Sequence, residues 1–93
     1  MANRITQKDF DMLNELAEKL INTKDRGEAR KIIDTFSKQA HTFDVYDDIR
    51  KLIYEILDIA DKVSKFVGRS KRKEQIVLLR NSLNLLKING VVE

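Results

Sequence analysis

Residues 49–63 have the sequence IRKLIYEILDIADKV, and this stretch decides the fold. Its apolar side chains recur at intervals of three and four residues, which is the period of an amphipathic α-helix. The apolar set continues to Phe66 and Val67 and spans about half of the helical circumference, well beyond the usual stripe of about 100°. A helix that is apolar over half its girth must be covered from two directions, so the stretch predicts a bundle of helices.

Capping signals on the N-terminal side of this stretch predict two further helices. Thr6 can cap the first helix, with Asp9 as its acidic partner three residues later. Asp25 and Glu28 have the same spacing and can open the second helix. Each signal directly precedes a run of apolar residues at helical spacing, so both segments are predicted to be amphipathic helices.

Further signals bound the central helix and predict a fourth. Asp44 is the predicted N-cap of the central helix, and Gly68 suits the position just after its end. Ser70 can cap a fourth helix that stops at Asn89 and Gly90. The predicted helices span residues 7–21, 26–40, 45–67 and 71–88. Because short connections force antiparallel neighbours, the sequence predicts an all-α, antiparallel four-helix bundle.

Length and composition agree with a small helical protein. The chain has 93 residues, and we expect one domain over residues 1–93. Apolar residues make up 42% and charged residues 35% with no Pro, a mixture typical of helices and too apolar for a disordered chain. Cysteine is absent, which excludes disulfides and thiolate chemistry. Since neither a membrane span nor a signal peptide is visible, we expect a soluble protein of the cytoplasm.

The fourth helix carries more apolar side chains than one core needs. Leu78 and Leu85 lie a heptad apart at the edge of its apolar face, and Val77 and Ile88 lie on its far side. Either the first, third and fourth helices cover one another, or part of this surface meets another chain. The second alternative predicts that these four residues bind a protein partner or a second copy.

Charge is distributed unevenly along the chain. Residues 1–61 contain 10 Lys and Arg against 13 Asp and Glu, whereas residues 62–93 contain 8 against 2. The basic excess centres on Arg69, Lys71, Arg72 and Lys73. Cations at a helix start suit an anion such as a phosphate, a lipid headgroup or an acidic protein surface, and these four residues are also the candidates for binding nucleic acid. The alternative is a solvated turn that aids solubility.

Catalytic constellations are weak in this sequence. Asp34, Ser37 and the single histidine, His41, share one side of the second helix, but that side is opposite the apolar stripe and is expected to face water. We therefore expect no enzyme activity, no cofactor and no metal site.

One pair of acidic motifs nevertheless resembles a family of enzymes. Glu15-Leu-Ala-Glu18 and Glu55-Ile-Leu-Asp58 look like the ExxE and ExxD motifs of the MazG-type nucleotide pyrophosphohydrolases. That resemblance implies acids that hold Mg²⁺ inside a helical bundle. The helical wheel instead points Glu15, Glu18 and Asp58 away from the apolar faces, where they could not converge on an interior metal.

The remaining interpretation is a small, non-catalytic interaction protein. In size, charge and layout the chain is similar to bacterial immunity proteins, antitoxins and phage-encoded inhibitors as a class. We expect it to act as a regulator or inhibitor by docking a helix face on a protein partner, and to form a homodimer. The alternative is a regulator that binds nucleic acid or phosphate through residues 69–73.

Overall fold

The structure of the protein is a computed structural model that describes residues 4–66 and 68–92. Over these residues the chain forms, in order, β1 (Ile5–Thr6), α1 (Gln7–Asn22), α2 (Arg26–Thr42), α3 (Asp47–Ser64), α4 (Arg69–Gly90) and β2 (Val91–Val92). The predicted all-α bundle of four helices is confirmed. Val67, the last residue of the predicted third helix, lies outside the described residues. None of the described helices has the length and apolarity needed to cross a membrane.

The periodic apolar positions of all four helices meet in one core. Its buried members are Ile5, Phe10, Leu13, Ala17, Leu20, Ala29, Ile32, Phe36, Ala40, Val45, Ile49, Ile53, Ile56, Ala60, Val63, Leu79, Leu83 and Leu86. α3 contacts each of the other helices, as its wide apolar face predicts. Its extra apolar side chains, among them Leu52, Leu57 and Ile59, pack half-buried against the core. The surplus on α3 is therefore covered within the bundle.

The start of α1 matches its capping signal, whereas the start of α2 uses different partners. Thr6 is the N-cap of α1, and its hydroxyl accepts the N–H of Asp9 at 3.1 Å. Asp25 caps α2 as predicted, but its carboxylate accepts from the N–H of Gly27 at 3.0 Å. Glu28 accepts instead from the hydroxyl of Thr23 at 3.1 Å. In a capping box the Glu28 carboxylate would accept from the backbone N–H of Asp25. Here the Thr23 hydroxyl is the donor to Glu28 instead.

α3 is shorter than predicted at its beginning. It starts at Asp47 rather than at residue 45, and its N-cap is Tyr46, which makes no side-chain capping bond. The prediction that Asp44 caps this helix is wrong, because the buried Val45 holds the chain outside the helix at this point. Burial of one apolar side chain outweighs a cap worth about 1 kcal/mol.

The turn between α3 and α4 also differs from its prediction. α3 ends at Ser64, and Phe66, with a positive φ of 51°, takes the position after the helix that was predicted for Gly68. Gly68 also has a positive φ, of 134°, but it lies directly before α4. α4 begins at Arg69 rather than at residue 71, so Ser70 lies inside its first turn and is not its cap. Gly68 supplies the first backbone acceptor, its carbonyl receiving the N–H of Arg72 at 2.8 Å.

Contacts between helices join opposite ends. The end of α1 lies against the start of α4, where Arg72 donates to the carbonyl of Leu20, and β1 lies beside β2. No sequence signal predicted this short parallel pairing, in which Ile5 is opposite Val91 and Thr6 is opposite Val92. Both contacts agree with α1 and α4 running in opposite directions. The pairing also places the start of α1 and the end of α4 side by side.

Candidate interaction surface on helix α4

The inner side of α4 is built for close packing. Leu79, Leu83 and Leu86 are buried at intervals of four and three residues, which keeps them on one stripe. Gly90 continues this stripe at the end of the helix. A Cβ atom there would lie 2.9 Å from Cδ1 of Leu86, so only glycine fits without a shift of the neighbours. The inner stripe fixes which side of α4 is left outside.

The other side of α4 exposes four large apolar side chains. Val77 is 56% exposed, Leu78 47%, Leu85 49% and Ile88 70%. Among the described residues, the other large apolar side chains with comparable exposure are Tyr46 at 52% and Tyr54 at 43%. We call Val77, Leu78, Asn81, Leu85 and Ile88 the outer face of α4. The structure therefore leaves uncovered the four residues predicted to bind a partner.

The outer face differs from the rest of the molecule in its charge. The polar residues within and beside it are Asn81, Ser82, Asn84 and Asn89, all uncharged. The two cations in this part of α4 lie toward α1, because Arg80 pairs with Glu18 at 2.8 Å and Lys87 borders the cleft formed with Phe10 and Asn14. In a chain that is 35% charged, residues 75–89 thus present an outer surface without charged side chains.

Arg72 has a structural role that the sequence did not reveal. Its Nε donates to the carbonyl of Val63 at 3.4 Å, and its Nη2 donates to those of Leu20 at 3.2 Å and Ile21 at 3.4 Å. These carbonyls belong to the last turns of α3 and α1, where the helix dipoles are negative. The first turn of α4 repels a cation, but two other helix ends attract this one. A cation in the first turn of a helix, where its own helix disfavours it, is therefore a sequence signal for a partner elsewhere in the fold.

The predicted anion site is therefore smaller than its sequence suggests. Arg69, Lys71 and Lys73 are exposed at the start of α4, whereas Arg72 is half-buried and directed toward the two helix ends. Its guanidinium also stacks on Phe66, with Cζ 4.6 Å from the centre of the ring. Three cations remain on the surface of the four that were predicted to bind an anion or nucleic acid.

Asp34, Ser37 and His41 line a cleft of about 600 Å³ between α2 and α3. His41 contacts Tyr54 edge to face, with 5.5 Å between the ring centres. His41 and Asp34 are exposed, as their position opposite the apolar stripe predicts. The described hydrogen bonds do not join Ser37 to His41, so the cleft shows no activated nucleophile.

The acids that resemble the pyrophosphohydrolase motifs are dispersed on the surface. Glu15 pairs with Lys19, and Asp58 pairs with Lys62, both at i,i+4 spacing. Glu18 pairs with Arg80 on α4. Among the described residues, no group of three or more His, Asp or Glu side chains is placed to hold a metal ion.

Comparison with known proteins adds no assignment. No protein-family model, no curated protein and no solved structure matches this chain. The function is therefore proposed from the chemistry of the surface alone.

Proposed function

We propose that this protein is a non-catalytic interaction module that docks the outer face of α4 on a protein. The observation that carries the proposal is the exposure of Val77, Leu78, Leu85 and Ile88 on one uncharged helix face. Depletion of charge together with exposed large apolar side chains is the composition of an interface core. A regulator or inhibitor that works by occupying another protein's surface needs such a face and no catalytic groups.

The size of the outer face sets the strength of the interaction. Full burial of a Val, Leu or Ile side chain stabilises by about 1.5–3 kcal/mol. Val77, Leu78 and Leu85 are already about half covered, whereas Ile88 is 70% exposed. Docking can therefore gain roughly 1 kcal/mol from each side chain, before the loss of translational and rotational freedom is subtracted. A partner that covers the outer face alone is bound weakly and reversibly, as suits a regulatory contact.

The proposed function includes a location in the cytoplasm. A chain without cysteine suits a reducing compartment, and a bacterial or phage-encoded regulator would meet its partner in the cytoplasm.

Two matched variants test the proposal. Leu78→Lys with Leu85→Lys places two charges on the outer face, whereas Tyr46→Lys with Tyr54→Lys places the same charges at similarly exposed apolar positions elsewhere. Both are expected to fold, as circular dichroism will check. In affinity capture and light scattering, the first variant should lose the binding that the wild type and the second variant share. Equal binding by all three proteins would contradict the proposal.

The basic cluster supports a nucleic-acid function less well. Arg72 is engaged by backbone carbonyls, and three exposed cations make few phosphate contacts. We expect weak binding to random duplex DNA that disappears at physiological salt. Tight, salt-dependent binding that is lost in a variant with Lys71→Gln and Lys73→Gln would favour the nucleic-acid alternative instead.

A further inference from the structure

We propose that the groove between α2 and α3 binds a small phosphate monoester that carries an amino group. This site lies on a different pair of helices from the outer face of α4, so the inference does not rest on the proposed function. Three properties of the described residues support it. They are the convergence of cations from two helices, the lack of acids that match them, and a carboxylate one helical turn further along the groove.

Cations from two helices converge in one hollow. A pocket of about 320 Å³ lies between the start of α2 and the end of α3. Arg26 and Arg30 line it from α2, and Lys65 lines it from the C-cap of α3. The other side chains of its wall are Ile33, Asp61 and Ser64. This volume is at the lower end of the range of about 300–1,000 Å³ for ligand pockets, which suits a phosphate group and a few attached atoms.

Arg26 and Arg30 are in unfavourable positions for an isolated helix. Like charges four residues apart repel each other, and Arg26, the first residue of α2, lies at the positive end of the helix dipole. The acids of this turn, Asp25 and Glu28, line a different hollow, toward the end of α1. Among the described residues, no carboxylate pairs with Arg26 or Arg30. An anion bound between the two guanidinium groups would remove both unfavourable terms.

The charge of the pocket selects a phosphate monoester. Arg26, Arg30 and Lys65 supply three positive charges, and Asp61 is the one acid among the described residues of the wall. Asp61 pairs with Lys65 at 3.2 Å, but both side chains are largely exposed, so this pair contributes little. The excess of two positive charges matches a phosphate monoester, whose charge is about −1.5 to −2 at neutral pH. Three terminal oxygens also suit two guanidinium forks and an ammonium group, whereas a carboxylate offers two oxygens and one charge.

The groove changes its charge one helical turn beyond the pocket. Asp34 follows Arg30 by four residues, or about 6 Å along α2, and lines the cleft of about 600 Å³ described above. The pocket and the cleft share Ile33 and Asp61, so the two hollows are continuous. The described wall of the cleft contains no Lys or Arg, and no described cation pairs with Asp34. An amino group on a two-carbon chain from the phosphate spans a similar distance and can pair with Asp34.

The first experiment compares ligands of matched length. Chemical-shift titrations by NMR at constant ionic strength measure the affinity for 2-aminoethyl phosphate, ethyl phosphate and phosphoglycolate, which carry an amine, a methyl group and a carboxylate. We expect 2-aminoethyl phosphate to bind roughly twofold to fivefold more tightly than ethyl phosphate, as suits one exposed ion pair, and phosphoglycolate to bind most weakly. Asp34→Asn should remove the advantage of the amine and leave the affinity for ethyl phosphate unchanged.

The second experiment compares two variants with the same net charge. Arg26→Gln with Arg30→Gln removes two cations from the pocket, and Lys71→Gln with Lys73→Gln removes two from the start of α4. All four side chains are exposed, so both variants are expected to fold. The first variant should bind ethyl phosphate at least roughly tenfold more weakly than the wild type, whereas the second should bind it equally well. In phosphate-free buffer the first variant should melt no lower than the wild type, because a repulsion is removed.

Each contrary outcome overturns part of the proposal. Equal weakening in both variants would show that the overall positive charge attracts anions without a pocket. Equal affinity for 2-aminoethyl phosphate and phosphoglycolate would overturn the amino group, and a lower melting temperature of the arginine variant would show that Arg26 and Arg30 have structural partners. Leu78→Lys with Leu85→Lys should bind the phosphate probes as the wild type does, so this inference and the proposed function can fail independently.

Discussion

The guanidinium carbon of Arg72 lies 4.6 Å from the centre of the Phe66 ring. Phe66 has a positive φ of 51°, a conformation that is unfavourable for a bulky side chain. The same backbone conformation ends α3 and brings the ring beneath the first turn of α4. Arg72 then reaches past the ring to the carbonyls of Val63, Leu20 and Ile21. One cation thereby joins the ends of α1 and α3 to the start of α4.

Replacing Arg72 should destabilise the bundle. Arg72→Ala removes the stacking on Phe66 and three charge-assisted bonds to carbonyls, so we expect a loss of about 2–3 kcal/mol in the free energy of unfolding. Arg72→Lys keeps the charge but not the planar fork, and should lose an intermediate amount. Urea titration followed by circular dichroism measures both values. Arg69→Ala, at an exposed position, is the control, and a similar effect of both alanine substitutions would show that Arg72 has no special role.

Adjacent leucines on α4 should respond very differently to truncation. Leu79 is fully buried in the core, whereas Leu78 is 47% exposed on the outer face. Leu79→Ala leaves a cavity and should lower the free energy of unfolding by about 2–5 kcal/mol. Leu78→Ala should change it by less than about 1 kcal/mol in the monomer, because little buried contact is lost. Thermal and urea unfolding at low protein concentration compare the two, and equal losses would mean that the outer face belongs to the core.

Alanine substitution of two residues that were predicted to cap helices should change the free energy of unfolding by different amounts. Thr6 accepts the N–H of Asp9 and caps α1, so Thr6→Ala should destabilise by about 1 kcal/mol. Ser70 lies inside the first turn of α4 and is exposed, so Ser70→Ala should be neutral within about 0.5 kcal/mol. Thr6→Ser, which keeps the hydroxyl, is the positive control. A larger effect at Ser70 than at Thr6 would place the start of α4 where the sequence alone predicts it.

Glycine-to-alanine substitutions should have opposite signs at two positions. At Gly90 a Cβ would lie 2.9 Å from Cδ1 of Leu86 and 3.4 Å from Cγ2 of the buried Ile49, so Gly90→Ala should destabilise by about 1 kcal/mol or more. At Gly27, in the first turn of α2, the nearest atom is an Asp25 carboxylate oxygen at 3.5 Å. Gly27→Ala should stabilise by up to about 1 kcal/mol, because alanine restricts the unfolded chain. Paired melting curves test this, and a stabilising Gly90→Ala would mean that α4 and α3 pack less closely here.

Local patterns in the sequence determined the helices and marked the candidate residues of the outer face. The periodic apolar residues of 49–63 predicted α3, and Thr6 predicted the start of α1. The surplus on α4 singled out Leu78 and Leu85 but left open whether they are covered by other helices, and the structure leaves them exposed. These properties depend on residues within one or two helical turns of each other. Period and capping therefore suffice to find them.

Only the tertiary structure decided where the helices end and which side chains join them. The end of α3 at Ser64, the inward role of Arg72 and the pairing of Ile5 with Val91 all depend on residues that are distant in sequence. Local signals at Gly68 and Ser70 were outweighed by burial and by the attraction between a cation and two helix ends. Such energies exist only when the helices are assembled, because the helix ends that attract Arg72 are brought together by the packing of the core.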